Sequence, residues 1–199
     1  MKKYLNLVLI IVLMISCGRD EGLMEAENFY AAGEYEQAIE KYSEHLSMHP
    51  ANIMALYNRG RAYEETGQIE KALADFNAVI KREPSHGAAN MSLAKHYYFR
   101  TKDYAKSVTY TNNIMESNDT HSGAYTLRGK TYQKMGELEK ARNDYDKAIS
   151  IDVENTEAYV ARGSLMLHIR DKERACNDFL IAKNLGDEGA GEAYTKYCK

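Results

Sequence analysis

Between residues 22 and 187 the chain is written as short amphipathic segments. Their apolar positions recur three and four apart with polar positions between them, the period of helices that bury one face. One segment appears three times with little change: GEYEQAIEKYSEHL from Gly33, GQIEKALADFNAVI from Gly67 and GELEKARNDYDKAI from Gly136. Aligning these copies reveals a ladder of small residues, Ala38, Ala72, Ser107, Ala141 and Ala175, at spacings of 34, 35, 34 and 34. Four residues beyond each rung stand Tyr42, Phe76, Thr111, Tyr145 and Phe179, on the same helical face. A second ladder, Ala26, Gly60, Ala94, Gly129 and Gly163, precedes the first, and three residues after each of its members come Phe29, Tyr63, Tyr97, Tyr132 and Met166. Each period therefore predicts two helices. The small residues let them approach closely, and the large ones fill the space beside the contact.

The punctuation agrees with that division. Gly33, Gly67 and Gly136 fall where one helix turns into the next, and Pro50 and Pro84 close the first two periods. The third period departs from the pattern. Thr101-Lys102 replaces the turn glycine, one extra residue lies between Tyr97 and Ser107, and Thr111 stands where an aromatic is expected, so the middle of the array is its least regular point, either locally looser or shaped for a partner. Beyond Gly186, DEGAGEAYTKYCK reads as a short helix with Ala193, Tyr194, Tyr197 and Cys198 facing inward, a cap for the apolar end of the stack.

The combined ladders resemble the tetratricopeptide repeat (TPR) family over residues 22–187. The resemblance implies an all-α, right-handed solenoid of five helix-turn-helix repeats, with residues 188–199 as a capping helix. It also implies that the first helices of successive repeats line a concave, peptide-binding face. Carried over by register, the partner-binding candidates are Tyr30, Tyr57 and Arg61, then Met91, Lys95 and Tyr98, then Lys130 and Gln133. Thr126, Val160, Ser164 and Leu167 fall in the same register. Arg61, Lys95 and Lys130 would form a basic stripe suited to an acidic peptide, or simply a solvated face. The lysine and asparagine set with which the family clamps chaperone tails is not reproduced.

The first residues form a separate unit. MKK, the apolar run LNLVLIIVLMI and Ser16-Cys17 follow the layout of an export signal. MISC resembles the lipobox of bacterial lipoproteins, with Met14 where leucine is usual. This implies a signal peptide over residues 1–16, lipidation of Cys17 and an anchored linker over 17–21. Gly18 favours the outer membrane, periplasmic or surface-facing, and Asp20-Glu21 resembles the acidic export signals of some Bacteroidota lipoproteins. In an oxidising compartment Cys176 and Cys198 are expected to form a disulfide, the alternative being two buried thiols.

Composition adds exclusions. A net charge of −3 shows no excess of basic residues for nucleic acid. The six histidines are scattered, and His45 and His49 read as a solvated pair rather than a metal site. Asp75, Asp144 and Asp178 recur one residue before the large residue of the second helix and read as surface charges in register. No constellation points to catalysis, a cofactor, a metal or a small-molecule substrate. The expected function is that of a membrane-anchored adaptor binding a peptide segment of another envelope protein. The alternative is a permanent structural subunit of an outer-membrane or cell-surface complex.

Overall fold

The computed structural model describes residues 21–199; the expected signal peptide, Cys17 and nearly all of the expected linker lie outside the described residues. Eleven α-helices and one π-helical turn follow one another, and the described residues contain no strand. No described helix is long and apolar enough to cross a membrane. The described residues divide into two compact units, one ending at Arg82 and the other running from Glu83 to Lys199.

In the first unit, α1 (Glu21–Ala31) pairs with α2 (Tyr35–Met48), and α3 (Ile53–Glu65) with α4 (Ile69–Arg82). In the second, α5 (Gly87–His96) continues into the π turn Tyr97–Thr101 and pairs with α6 (Tyr104–Ser117). Then α7 (Ser122–Lys134) pairs with α8 (Leu138–Ile151), and α9 (Thr156–His168) with α10 (Lys172–Asn184). The cap helix α11 (Glu188–Cys198) closes that unit against α10.

Local chemistry sets the helix boundaries. The side chains of Asn52, Asp103, Asn155, Asp171 and Asp187 each accept a hydrogen bond from the third backbone N–H of the helix that follows. His86 and His121 do the same through Nδ1, at 3.2 Å from the N–H of Ala89 and of Ala124. Gly33, Gly67 and Gly136 turn the chain at φ of 80°, 73° and 79°, the left-handed region open to glycine. In the third and fifth repeats that conformation is carried instead by Lys102 (φ 55°) and Arg170 (φ 67°). The irregularity of the third repeat thus has a definite form: the extra residue is taken up as a π turn and a lysine replaces the glycine.

The two ladders meet in the core. Ala38, Ala72, Ser107, Ala141 and Ala175 are all fully buried, as are or nearly are Tyr42, Phe76, Thr111, Tyr145 and Phe179. A Cβ on Gly60, Gly129 or Gly163 would lie 2.7, 2.6 or 2.9 Å from Cε1 of Phe76, Tyr145 or Phe179, so the ring occupies the space a side chain would need. In the third repeat Ser107 Oγ lies 3.2 Å from Thr131 Oγ1, and the Thr111 hydroxyl donates to the carbonyls of Ser107 and Val108. The buried hydroxyls are therefore satisfied without an aromatic.

Cys176 of α10 and Cys198 of α11 are joined by a disulfide with their Cα atoms 5.6 Å apart. Ala193, Tyr194 and Cys198 pack on the core, whereas Tyr197, expected to face inward, is exposed. Closing a 22-residue separation limits the unfolded chain, so Cys176→Ser should cost about 3 kcal/mol in the chain-entropy account. A urea titration of variant and parent measures the loss, and reductant should lower the parent to the variant's midpoint without moving the variant.

Candidate functional site

The register that recurs most strictly after the two ladders is electrostatic, and it corrects a sequence reading. Asp75, Asp144 and Asp178 are not surface charges; they are 6, 5 and 2% exposed. Each carboxylate receives both arms of an arginine sixteen residues earlier: Arg59 to Asp75 at 2.8 and 2.8 Å, Arg128 to Asp144 at 2.8 and 2.7 Å, Arg162 to Asp178 at 2.9 and 2.7 Å. The remaining nitrogen of each guanidinium reaches back sixteen residues, to Ser43 Oγ, Asn112 Oδ1 and Asp146 Oδ1. One arginine thus fastens its own repeat's second helix to that of the repeat before. The hydrogen bonds that the guanidinium groups donate to the aspartates outweigh desolvation and hold all three arginine pKa values above the ordinary value.

The other two repeats solve the same position differently. In the first, the charges are exchanged, with Lys41 on the second helix 3.2 Å from Glu25 on the first. In the third, Leu93 and Tyr110 replace the pair, and Tyr110 stacks on Tyr97 with centroids 5.4 Å apart. Arg59 and Arg128 lie over the matching rings of Tyr63 and Tyr132, so an aromatic stack replaces a cation above a ring.

His45 also differs from expectation. It is buried, with Nε2 3.0 Å from Asn52 Nδ2 and its ring 4.8 Å from that of His49, and so belongs to the packing at the end of α2.

The partner-binding candidates fall into two groups, one in each unit. In the first unit Tyr30 is half-buried, and Arg61 lies over its ring at 4.8 Å. Burial raises the Tyr30 pKa despite that cation. Tyr57 is half-buried with its ring 5.8 Å from that of Phe76. In the second unit Tyr98, Lys130 and Gln133 come together in a cleft of about 510 Å³, joined by Phe99 from the π turn and by Val160 and Ser164 of α9. Met91 is half-buried and Lys95 exposed on α5, both outside the cleft lining. Thr126, expected on the open face, is buried, with its hydroxyl bonded to Ser122 O and Asn155 Nδ2.

The chemistry of the cleft is mixed. Lys130 Nζ contacts Glu157 Oε1 at 2.5 Å, so the last cation of the expected basic stripe is already paired. Gln133 Oε1 accepts from the Tyr145 hydroxyl at 2.8 Å, which fixes its amide at the cleft wall. Burial pushes the phenol pKa of both Tyr98 and Tyr145 upward, so both remain neutral donors at physiological pH. Phe99, 61% exposed and edge-on to Tyr98 at 4.6 Å, was missed by register counting because it follows the inserted residue's displacement.

The lining thus combines apolar side chains, among them Phe99, Leu138 and Val160, with a few fixed polar groups. The tetratricopeptide repeat profile matches residues 23–78 and 57–112, and a second tetratricopeptide repeat profile matches 122–155. The chain belongs to the tetratricopeptide repeat family. A TPR repeat-containing protein of Methanocaldococcus jannaschii is 26% identical over 184 residues, 84% of this chain and 30% of its own length. The Hsp70-Hsp90 organising protein of Plasmodium falciparum is 24% identical over 85% of this chain and 28% of its own. The chain therefore spans less than a third of the length of these relatives. Among solved structures, MamA from Desulfovibrio magneticus RS-1, solved from residue 41 to its end, superposes with a TM-score of 0.74 at 21% identity, covering 83% of this chain and 95% of the solved one. YrrB, described as a TPR protein with an unusual peptide-binding site, gives 0.72 at 17% identity over 90 and 92% of the two chains. These superpositions identify the fold as an all-α TPR solenoid.

Proposed function

We propose that this TPR protein is a membrane-anchored adaptor that grips a peptide segment of another envelope protein in the cleft of its second unit. The observation that carries the reading is the convergence of Tyr98, Phe99, Lys130, Gln133 and Val160 around one open recess. TPR proteins act in protein–protein interaction, and YrrB is described as having a peptide-binding site. The lining suits a segment with an apolar anchor against Tyr98 and Val160 and polar or charged neighbours of either sign beside Lys130 and Glu157. An acidic ligand has no special advantage there, because the lysine already has a carboxylate beside it. The preformed walls leave the ordering cost mainly with the ligand. Anchoring rests on the lipobox resemblance at Cys17 and outer-membrane placement on Gly18.

Photo-crosslinking in intact cells tests the proposal, with the reactive residue at Tyr98 and a control at Asn143, exposed on α8. Capture of one protein from Tyr98 alone is the expected result. Equal capture at both positions would make the chain a structural subunit buried on several faces, and capture at neither would remove the cleft as a binding site.

A further inference from the structure

The turns that join the two helices of each repeat in the second unit share an unusual composition. Phe99, Met135 and Ile169 stand at the ends of its three first helices and are 61, 42 and 46% exposed. Beside them lie the exposed cations Arg100 and Lys102, then Lys134, then Arg170 and Lys172. None of these five pairs with an acid among the described residues, whereas the acids of the same turns are each engaged by the start of the following helix: Asp103 by Lys106, Glu137 by Lys140 and Asp171 by Arg174. Glu139 and Glu173 are the exposed acids of these helix starts without an ion pair, which leaves the edge net positive in a chain of net charge −3. Because α5, α7 and α9 stack side by side, the three tips form one row, and Phe99, Lys134 and His168 of this row also line the cleft around Tyr98 and Lys130 described above.

Two of the cations are held at a cost. Lys102 and Arg170 occupy the left-handed conformation that Gly33, Gly67 and Gly136 adopt without strain at the equivalent turns. The first unit's turns, Ala31-Ala32-Gly33-Glu34 and Glu65-Thr66-Gly67-Gln68, carry neither the apolar tip nor the cations. Folding alone therefore does not require this composition.

We propose that this edge of the second unit is a docking surface for an anionic lipid bilayer. Separate apolar side chains projecting from turn tips, ringed by unpaired cations, match a fluid interface of phosphate headgroups over acyl chains. A folded protein partner would call for a recess shaped around each tip. Each cation brought to the surface strengthens attachment about fivefold, and Phe99, Met135 and Ile169 enter the headgroup boundary. A tether at Cys17 would raise the local lipid concentration, so that weak contact by the edge suffices to orient the unit.

The chain contains no tryptophan, so a single introduced one reports its own surroundings. Full-length Phe99→Trp is mixed with phosphatidylglycerol vesicles containing brominated lipid, alongside Val153→Trp, which places the reporter on an exposed turn between α8 and α9. The N-terminal segment is common to both chains. The expected result is a blue shift and quenching at position 99 alone, lost in pure phosphatidylcholine and lost with Arg100→Glu/Lys134→Glu/Lys172→Glu. Quenching of neither reporter, or of both equally, overturns the assignment. So does a blue shift at position 99 in a lipid-free protein fraction that vesicles fail to reproduce, which gives the edge to a protein. The readout uses no peptide, so failure of capture at Tyr98 leaves it unaffected.

Discussion

Asp144→Ala is expected to lower the unfolding free energy of the second unit by about 3 kcal/mol, because it strips both carboxylate hydrogen bonds from a partly buried guanidinium and leaves it a neutral amide, Asn112, and the rings of Tyr125 and Tyr132. Breaking such a pair costs more than the pair contributes, since the surviving charge stays desolvated. The third repeat indicates the remedy. There Leu93 and Tyr110 stand at the two positions, and Tyr110 stacks on Tyr97. Arg128→Leu/Asp144→Tyr, with Tyr132 available beneath the new ring, should return to within about 1 kcal/mol of the parent, as apolar replacements of buried ion pairs do. Urea denaturation followed by circular dichroism measures all three chains. A double variant as unstable as Asp144→Ala would show that the arginine holds the repeats together in a way that apolar packing cannot replace.

Gly129→Val should cost at least about 3 kcal/mol, the upper end for overpacking a filled core. Its Cβ would lie 2.6 Å from Tyr145 Cε1 and 3.1 Å from the Ala141 carbonyl. Tyr145 is fully buried and its hydroxyl is tied to Gln133, so the ring has nowhere to move. Gly191→Ala is the contrast within the same unit. A Cβ there meets only the flexible Lys183 side chain at 3.5 Å, and the gain in helix propensity should stabilise by up to about 1 kcal/mol. Thermal melts of the two variants should move in opposite directions; a shared direction would mean that backbone entropy, rather than the Tyr145 contact, governs both sites.

The helix pairs were legible because their signal is steric and periodic: a small residue on the first helix and another on the second leave a trace in every repeat. The arginine fasteners were equally periodic, with Arg59, Arg128 and Arg162 in one register, yet the aspartates were read alone and so as surface. The sixteen-residue interval joins two helices, and periodicity within one helix does not reveal it. In the cleft, Tyr98, Lys130 and Gln133 followed from register, because first helices stack in order. Phe99 did not, because it lies inside the π turn that takes up the extra residue, where strict repeat counting fails. The Lys130–Glu157 pair joins neighbouring repeats and likewise falls outside any single period.

The π turn also bears on how the length of such a chain can change. Arginine and aspartate are sixteen residues apart in three repeats, and the replacing pair Leu93 and Tyr110 is seventeen apart. A forked, two-armed contact fixes both partners tightly, whereas a leucine and a stacked tyrosine accept a modest slide. The one inserted residue thus stands in the repeat whose cross-helix contact is the most forgiving. On this account the fasteners act as proofreaders of repeat length, and an added residue survives only where the fastener has first been replaced by grease.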